Sequence, residues 1–314
     1  MIQQLIIPTP YAVGDVNAFL VKEEALSLFD AGPRTPEGLE AIKQGLAQAG
    51  YKLEDIEQVI LTHHHPDHSG WADAFPNATL LGHEYNNLWL TRDPSFIEFH
   101  DQFYMDRFIE QGVPEKALGI VKKMKRAADF IANRPLDSLL KEGDEIPGHP
   151  GWKVLETLGH AQSHLSFWNP STNELIGGDL LLAKVSSNPL VEPPLNPEES
   201  RPKTLLQYND SLRRLQELPI QAVYSGHGDP VTGIHDLVEQ RLEKQHDRAM
   251  KVYQMLNEGP KSVFELTVEL FPSAYKRELG LTLSETLGQM DYLMDINKVK
   301  RNTDEQGIHR YEQS

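Results

Sequence analysis

The stretch LTHHHPDHSG brings several groups that bind protons or metal ions into one short turn. It contains four histidines and one aspartate, and burying such groups without partners would cost free energy. Alternate residues of an extended chain point to the same side, so His63 and His65 can reach one ion. The proline that follows turns the chain and presents Asp67 and His68 to a second ion. We therefore expect a metal site in this stretch.

Three later residues have matching chemistry, and each follows an apolar run. They are His160 in LGHAQSH, Asp179 in GGDLL and His227 in SGHGDP. Each lies beside a glycine, where the backbone can turn tightly. The chain has no cysteine, so every metal ligand must be a histidine or a carboxylate. These three residues are the candidates that would complete two coordination spheres.

The segments around these residues indicate alternating strands and helices. QQLIIPTP, VNAFLVKEEALSLFDAG and EQVILTH are short apolar or alternating runs typical of strands. Between them, TPEGLEAIKQGLAQAG has helical spacing and ends at Gly50, as helices commonly do. GWKVLETLGH, SHLSFWNPSTNELIGGDLLL and IQAVYSGHGDP return to the strand pattern. This order predicts an α/β (α+β) fold whose ligands follow the carboxyl ends of strands.

A helical insert is predicted at about residues 85–135. Phe96, Phe99, Phe103 and Phe108 recur there at helical intervals, which indicates first of all a packing face. A second interpretation is a lid over the substrate of the metal site, because the insert closely follows the metal-binding turn. A third is a homodimer contact, since large aromatic residues are enriched at interfaces.

After His235 the pattern indicates a separate helical unit. DLVEQRLEKQHDRAMKVYQMLNEGP is a long amphipathic helix, and KVKRNT and IHRYE read as two strands joined by a turn. Ser262 with Glu265, and Thr282 with Glu285, have the spacing of capping boxes that begin two further helices. The proline-rich SSNPLVEPPLNPEESRP, which precedes this unit, is predicted to cross the surface as an ordered loop.

Composition limits the classes of function. The chain has 314 residues, 39% of them hydrophobic, and a formal net charge of −16, which fits a globular protein with one large and one small domain or with two comparable ones. The negative charge disfavours nucleic acid as a partner, because binding to phosphates needs many positive side chains. No apolar run approaches the roughly 20 residues of a membrane span, and no signal peptide is recognisable. We therefore expect a cytoplasmic protein that does not bind membranes.

Five motifs together resemble the metallo-β-lactamase superfamily in its glyoxalase II-like branch. They are DAG, ILTHHHPDHSG, LGHAQSHLSFW, GGDLL and SGHGDP, and they occur in that family's order and approximate spacing. The resemblance implies a four-layer αββα sandwich over residues 1–235, interrupted by the insert. Residues 236–314 resemble the winged-helix appendage of certain members, including a mitochondrial endoribonuclease and fungal polyketide thioesterases. We expect this small domain to be winged-helix-like.

The resemblance also implies two divalent metal ions. Carried over position by position, the ligands of the first ion are His63, His65 and His160, those of the second are Asp67, His68 and His227, and Asp179 bridges both. Asp67 is in addition the expected catalytic residue, since it can accept the proton of the nucleophile. Nitrogen and oxygen ligands suit zinc best, with manganese or iron as alternatives. His64 is expected to be structural, and the role of His164 stays open.

These features predict a metal-dependent hydrolase that acts on a thioester, a lactone or a related ester of a small molecule. A water between two divalent ions loses a proton near neutral pH, which supplies metal-bound hydroxide as the nucleophile. Asp179 argues against antibiotic hydrolysis, because some true β-lactamases have cysteine or serine at this position. Three alternatives remain. They are a nuclease or phosphodiesterase, a mononuclear iron dioxygenase of the persulfide type, which shares part of this ligand set, and a non-catalytic sensor that keeps the fold.

Overall fold

The computed structural model describes residues 2–121 and 129–314, which form two compact units. The first unit comprises Met1–Asp93, Ala127–Ser187 and Ser211–Val238. The second comprises Pro94–Arg126, Asn188–Asp210 and Glu239–Ser314. Most of the predicted insert is thus grouped with the C-terminal segment, whereas the sequence division placed it within residues 1–235. Within the described ranges, no helix is both long and apolar enough to cross a membrane.

Two sheets form the centre of the first unit. The strands of the first sheet lie in sequence order: β1 (Ile2–Ile7), β2 (Val16–Lys22), β3 (Leu26–Phe29), β4 (Gln58–Ile60), β5 (Thr79–Gly82) and β6 (Ser138–Leu139). The second sheet contains β7 (Lys153–Glu156), β8 (Leu165–Asn169), β9 (Glu174–Gly178) and β10 (Ala222–Ser225), in the order β10-β9-β8-β7. Strands β1 to β3 pair antiparallel, and β3 to β6 pair parallel.

The inner faces of the two sheets share one hydrophobic core. Phe29 of β3 lies 5.1 Å from Phe167 of β8, measured between ring centroids, and Trp152 stacks on Phe29 at 5.9 Å. Ile60 of β4 and Ile176 of β9 are fully buried in the same cluster. The apolar runs of the sequence therefore form a sandwich of two sheets, as predicted.

Helices lie between consecutive strands of the first sheet along the chain. They are α1 (Pro36–Gln48), α2 (Pro66–Ser69) and α3 (Glu84–Leu90). The hydroxyl of Thr35 accepts a hydrogen bond from the Gly38 amide at 3.0 Å, which caps the first turn of α1. Gly50 follows the end of α1 with a φ of 85°, a conformation that glycine adopts without strain. The predicted helix and its terminator are confirmed.

The strand directions bring the carboxyl ends of three strands to one edge of the second sheet. Strand β8 pairs antiparallel with both β7 and β9, and β10 pairs parallel with β9. Strands β7, β9 and β10 therefore run the same way. His160, Asp179 and His227 follow these three strands, and His63 follows β4 of the first sheet. The predicted position of these residues after strand ends is confirmed.

The second unit is mainly helical. Its elements are α4 (Pro94–Glu110), the first half of α5 (Thr204–Glu217), most of α6 (Ile234–Met255), α7 (Val263–Leu270), α8 (Leu279–Asp295), β11 (Val299–Thr303) and β12 (His309–Gln313). Strands β11 and β12 form an antiparallel hairpin. The predicted order of helices followed by a hairpin is therefore present in the C-terminal segment.

The aromatic stripe of the insert packs inside the second unit. Phe103, Tyr104 and Phe108 of α4 join a hydrophobic cluster with Val252 of α6 and Met290 of α8. This arrangement is the packing face that helical spacing predicts. The lid and dimer interpretations stay predictions, and residues 122–128 of the predicted insert lie outside the described residues.

One of the two predicted capping boxes is wrong. The Ser262 hydroxyl accepts from the Glu265 amide at 3.2 Å, and the Glu265 carboxylate accepts from the Ser262 amide at 2.7 Å. This box begins α7, as predicted. Thr282, however, lies inside the first turn of α8, which begins at Leu279, and its hydroxyl donates to the Glu278 carbonyl at 2.9 Å. Because Leu279 is buried, the helix begins one turn earlier than local spacing predicts.

The proline-rich segment is not simply a surface loop. It has neither helix nor strand, as expected, but Val191 is only 5% exposed. The carbonyl of Val191 accepts a hydrogen bond from the Tyr104 hydroxyl at 2.5 Å, and its amide donates to Ser284 Oγ at 3.3 Å. Side chains of the second unit therefore satisfy the backbone of the segment, which allows it to be buried.

Candidate metal centre

The strand ends of the first unit bring together all seven residues of the predicted ligand set. Three groups drawn entirely from this set have ligand atoms within 4.8 Å of one another: His63, His65 and His160; His63, His68 and Asp179; and Asp67, His68 and His227. The groups share His63 and His68. They therefore form one continuous cluster and not three separate sites.

Asp179 lies in the middle of this cluster. Its Oδ2 lies 3.5 Å from His160 Nε2 and 3.5 Å from His227 Nε2, and its Oδ1 lies 3.4 Å from His68 Nε2. Asp67 Oδ2 lies 3.3 Å from His227 Nε2. Ligands held about 2.0–2.1 Å from a tetrahedral ion are roughly 3.4 Å apart. The separations match those expected of metal ligands, with Asp179 between the two sets.

Several atoms of the cluster have no hydrogen-bond partner among the residues described. They are His63 Nε2, His68 Nε2, His227 Nε2 and Asp179 Oδ1. All four side chains are buried, and a buried polar atom without a partner costs about 1–3 kcal/mol. Atoms of this kind that converge on one point are explained if they bind a cation. The donor set of imidazole nitrogens and carboxylate oxygens therefore fits divalent metal ions.

Asp30 orients two of these histidines through one carboxylate oxygen. Its Oδ2 accepts a hydrogen bond from His68 Nδ1 at 2.7 Å and another from Thr62 Oγ1 at 2.8 Å. Thr62 Oγ1 lies 2.9 Å from His63 Nδ1, whose proton it can accept because its own hydrogen goes to Asp30. Both rings therefore direct Nε2 to the cluster. Asp30 belongs to the DAG motif, but only this contact between distant residues shows what it does.

Two more histidines are held through Nδ1 by residues that carry no sequence signal for the site. His160 Nδ1 lies 2.7 Å from Ser187 Oγ, and His227 Nδ1 donates to the carbonyl of Asp15 at 2.8 Å. Ser187 lies in the proline-rich segment, and Asp15 precedes β2. Serine hydroxyls and backbone carbonyls occur throughout a sequence, and nothing in the sequence distinguishes these two. Only the fold shows that they contact His160 and His227.

His164 supports the cluster from beneath the central aspartate. Its Nε2 accepts the backbone N–H of Asp179 at 3.0 Å, and its Nδ1 lies 2.8 Å from Thr157 Oγ1. Burial, followed by the charge of His160, lowers the pKa of His164 to about 3. The ring therefore stays neutral, and both of its nitrogens are used to position the backbone of Asp179.

His64 packs against an aromatic side chain of α3 as well as against His65. Its ring stacks on Trp89 of α3, with centroids 5.2 Å apart and an interplanar angle of 3°. Its Nδ1 lies 2.8 Å from Ser163 Oγ, which also accepts the His64 amide at 3.1 Å. These contacts link the metal-binding turn to α3 and to the loop that carries His160. They agree with the structural role that the sequence predicts for His64.

Charge is distributed unevenly over the cluster. Burial lowers the pKa of His63 well below its ordinary value, and the charge of His68 adds to this. Burial opposes protonation of His227 as well, but Asp179 and Asp67 raise the pKa of His227 to about 9. Burial would raise the pKa of Asp179, but His68 and His227 hold it well below its usual range. Asp179 is therefore charged and buried, and a divalent cation would balance it.

Close backbone packing leaves room for the cluster. Pro66 begins α2 with its φ already near the helical value, and the Gly70 amide at the end of α2 donates to the Gly32 carbonyl at 2.9 Å. A Cβ on Gly226 would lie 2.7 Å from His68 Cε1 and closer still to Asp179 Oδ1. The space beside Gly226 is thus filled by ligand side chains. Gly226 therefore has to be a glycine for these two side chains to keep their positions, a requirement that the sequence alone does not reveal.

Comparison with known proteins places this geometry in a family. Residues 11–227 match the Metallo-beta-lactamase superfamily, which is more than half of the chain. The chain belongs to this superfamily. It is also 43% identical over 288 residues to the probable metallo-hydrolase YqjP of Bacillus subtilis (strain 168), covering 91% of this chain and 90% of that protein. The chain is therefore a metal-dependent hydrolase of the metallo-beta-lactamase superfamily.

Solved structures agree with the predicted fold of this superfamily. A metallo-beta-lactamase family protein from Thermus thermophilus superimposes with a TM-score of 0.81 at 27% identity, covering 100% of this chain and 98% of that one. A beta-lactamase domain protein from Burkholderia ambifaria gives a TM-score of 0.76 at 22% identity, over 100% and 92% of the two chains. The second likeness is one of fold alone. The mixed α/β metallo-beta-lactamase fold is thereby confirmed.

Proposed function

We propose that this metal-dependent hydrolase is dinuclear and cleaves a thioester, a lactone or a related ester of a small molecule. The first ion would be held by His63, His65 and His160, the second by Asp67, His68 and His227, and both by Asp179. The observation that carries this assignment is the position of Asp179, whose oxygens lie 3.4–3.5 Å from nitrogens of both sets. Zinc is the favoured metal, since all donors are nitrogen or oxygen and the separations suit tetrahedral sites.

Asp67 is the residue that would hold the proton released by the nucleophile. Divalent ions bound in the cluster would lower the pKa of a coordinated water and polarise the scissile carbonyl. Burial would raise the pKa of Asp67, but His68 and His227 lower it further than burial raises it. Asp67 is therefore negatively charged and can accept a proton. Its side chain is 13% exposed, more than that of His227 at 5%, which supports access for a substrate.

The motifs support an ester or thioester substrate of the glyoxalase II-like branch. The net charge of −16 disfavours the nuclease alternative, because a nucleic acid would be repelled. The match to a metallo-hydrolase supports hydrolysis rather than the iron dioxygenase alternative. We further propose that residues 236–314 are winged-helix-like, supported by helices α6 to α8 and the hairpin of β11 and β12.

A substrate panel with a metal analysis tests this function. Purified protein is assayed on thioesters, lactones, phosphodiesters and RNA, and its metal content is measured by mass spectrometry. Wild type is compared with Asp67→Asn, which keeps the shape of the side chain but weakens its ability to accept a proton. Asp73→Asn is the matched control, because Asp73 pairs with Arg34 at 2.8 Å and belongs to none of the three ligand groups.

We expect two metals per chain and esterase or thioesterase activity that falls by several orders of magnitude in Asp67→Asn with metals retained. Asp73→Asn should keep wild-type activity. Cleavage of RNA or phosphodiesters alone would refute the substrate class. One iron per chain with dioxygenase activity would refute the dinuclear hydrolase itself. An undiminished rate in metal-loaded Asp67→Asn would refute the role of Asp67.

A further inference from the structure

The second unit contains a cavity of its own. Its volume is about 600 Å³, within the roughly 300–1,000 Å³ typical of small-molecule sites. The lining residues are Arg201, Lys203, Asp291, Met294, Asp295 and Arg301. They come from the end of α8, from β11 and from the chain just before α5. None of them belongs to the seven proposed metal ligands or to the contacts that orient those ligands.

One wall of this cavity is negative. Asp291 and Asp295 lie in the last two turns of α8, and that helix has no basic residue in its last turn. The carbonyl groups at a helix C-terminus add partial negative charge. Asp291 is only 1% exposed, and its Oδ2 has no hydrogen-bond partner among the residues described. This wall therefore offers an acceptor to a positively charged or hydrogen-bond-donating group.

Basic side chains line the same cavity. Arg201 Nη2 donates to Asp291 Oδ1 at 2.7 Å, so this pair satisfies only one of the two carboxylate oxygens. Arg301 and Lys203 line the cavity and bring two further positive charges. The positive charges also affect His309. Burial is the main cause that lowers the pKa of His309 to about 4, and the charges of Arg301, Arg107 and Arg201 contribute to this lowering.

We propose that this cavity binds a small zwitterion of the α-amino acid class. The carboxylate would pair with Arg301 and Lys203, and the ammonium group would donate to Asp291 Oδ2. A simple anion would meet two aspartates, and a simple cation would meet three basic side chains, whereas a dipolar ligand complements both sets of charges. Met294 supplies an apolar surface for the side chain of such a ligand.

Calorimetric titration of the full-length, metal-loaded protein with each of the common L-amino acids tests this site. The expected result is that at least one amino acid binds with a Kd below about 1 mM. N-acetylation of that amino acid removes its positive charge and should weaken binding at least tenfold, as should conversion of its carboxylate to an amide. These derivatives test the acidic and the basic side chains separately.

Arg301→Gln and Lys203→Gln test the position of the site, because neither side chain takes part in the buried pair of Arg201 and Asp291. Each should weaken binding at least tenfold. Lys300→Gln is the matched control, since Lys300 is exposed on the same strand as Arg301 but does not line the cavity. It should change the Kd by less than twofold.

Two results would overturn the proposal. The first is the absence of binding by any amino acid at 10 mM ligand, roughly tenfold above the weakest Kd expected from charge-assisted hydrogen bonds. The second is binding that survives both Arg301→Gln and Lys203→Gln, which would place the amino acid elsewhere, for example on the metals. Binding of single-stranded RNA that depends on Arg301 and that amino acids do not compete would also exclude a zwitterion site.

Discussion

Replacing Asp30 with asparagine tests whether the metal centre depends on the carboxylate behind it. Asp30 is 1% exposed, and its Oδ1 accepts from the Thr62 amide at 2.8 Å. Its Oδ2 accepts from both His68 Nδ1 and Thr62 Oγ1. Asparagine can keep the first bond, but its amide group would then face two hydrogen-bond donors. The substitution changes no metal ligand, so any loss of metal must act through His68 or His63.

The size of the effect follows from these contacts. Two buried donors without acceptors cost about 1–3 kcal/mol each, or roughly 2–6 kcal/mol in total. His68 can relieve part of this cost by moving its proton from Nδ1 to Nε2, but Nε2 then no longer has a lone pair for a metal. We therefore expect a stability loss near the lower bound, about 2 kcal/mol. We also expect metal affinity to fall by about 10–100-fold, equivalent to about 1.4–2.7 kcal/mol.

Two measurements separate these effects. Urea unfolding of metal-stripped protein gives the free energy of unfolding, and competition with a chelator of known affinity gives the metal Kd. Asp304→Asn is the control, because Asp304 accepts the amides of Gln306 and Ile308 in the hairpin of the second unit. It makes the same chemical change but should leave the metal Kd unaltered. If folded Asp30→Asn binds metal within twofold of wild type, the reasoning is refuted.

Four further predictions concern other parts of the molecule. Asp179→Ala should reduce the occupancy of both metal sites more than His227→Ala does, as measured by mass spectrometry, and full loading with two metals would rule out a bridging role. Gly226→Ala should lose metal while its circular dichroism stays native, because the added methyl group occupies the space of the Asp179 carboxylate; normal metal content would contradict this. His309 has a pKa of about 4 in the folded protein, chiefly through burial, and its pKa in the unfolded chain is about 6.5. Between these two pH values the unfolded chain binds more protons than the folded protein. The free energy of unfolding therefore falls as the pH drops from about 6.5 to about 4. His309→Gln should make the urea midpoint less dependent on pH in that window, and an unchanged dependence would exclude this residue as a cause. Phe99→Ala should alter selectivity between short and long acyl substrates if the insert is a lid, whereas a change only in solution mass would make the insert an interface.

Much of the candidate metal centre could be predicted from the sequence because its proposed ligands lie in short motifs with distinctive chemistry. His63 and His65 alternate on an extended turn, and a proline starts the helix that carries Asp67 and His68. Imidazole and carboxylate groups are rare inside proteins without a partner, so their placement after apolar strands indicates ligands. Helix ends were predictable for the same local reason: the caps at Thr35 and Ser262 involve residues only three positions apart.

Local spacing failed where packing between distant residues decided the outcome. Thr282 and Glu285 have the spacing of a capping box, but burial of Leu279 begins α8 one turn earlier. The phenylalanines of α4 have the spacing of any apolar helix face. Only the fold decides that Phe103 packs against residues of α6 and α8.

The tertiary structure alone decides which groups support the ligands. Asp30 lies 38 positions from His68, and Ser187 lies 27 positions from His160. A hydroxyl or carboxylate at such a distance in sequence carries no mark of its partner. The partners meet because β7, β9 and β10 end at the same edge of one sheet and β4 ends opposite them. Strand direction is set by the burial of both sheet faces in a common core, and that burial depends on the whole chain rather than on any one motif.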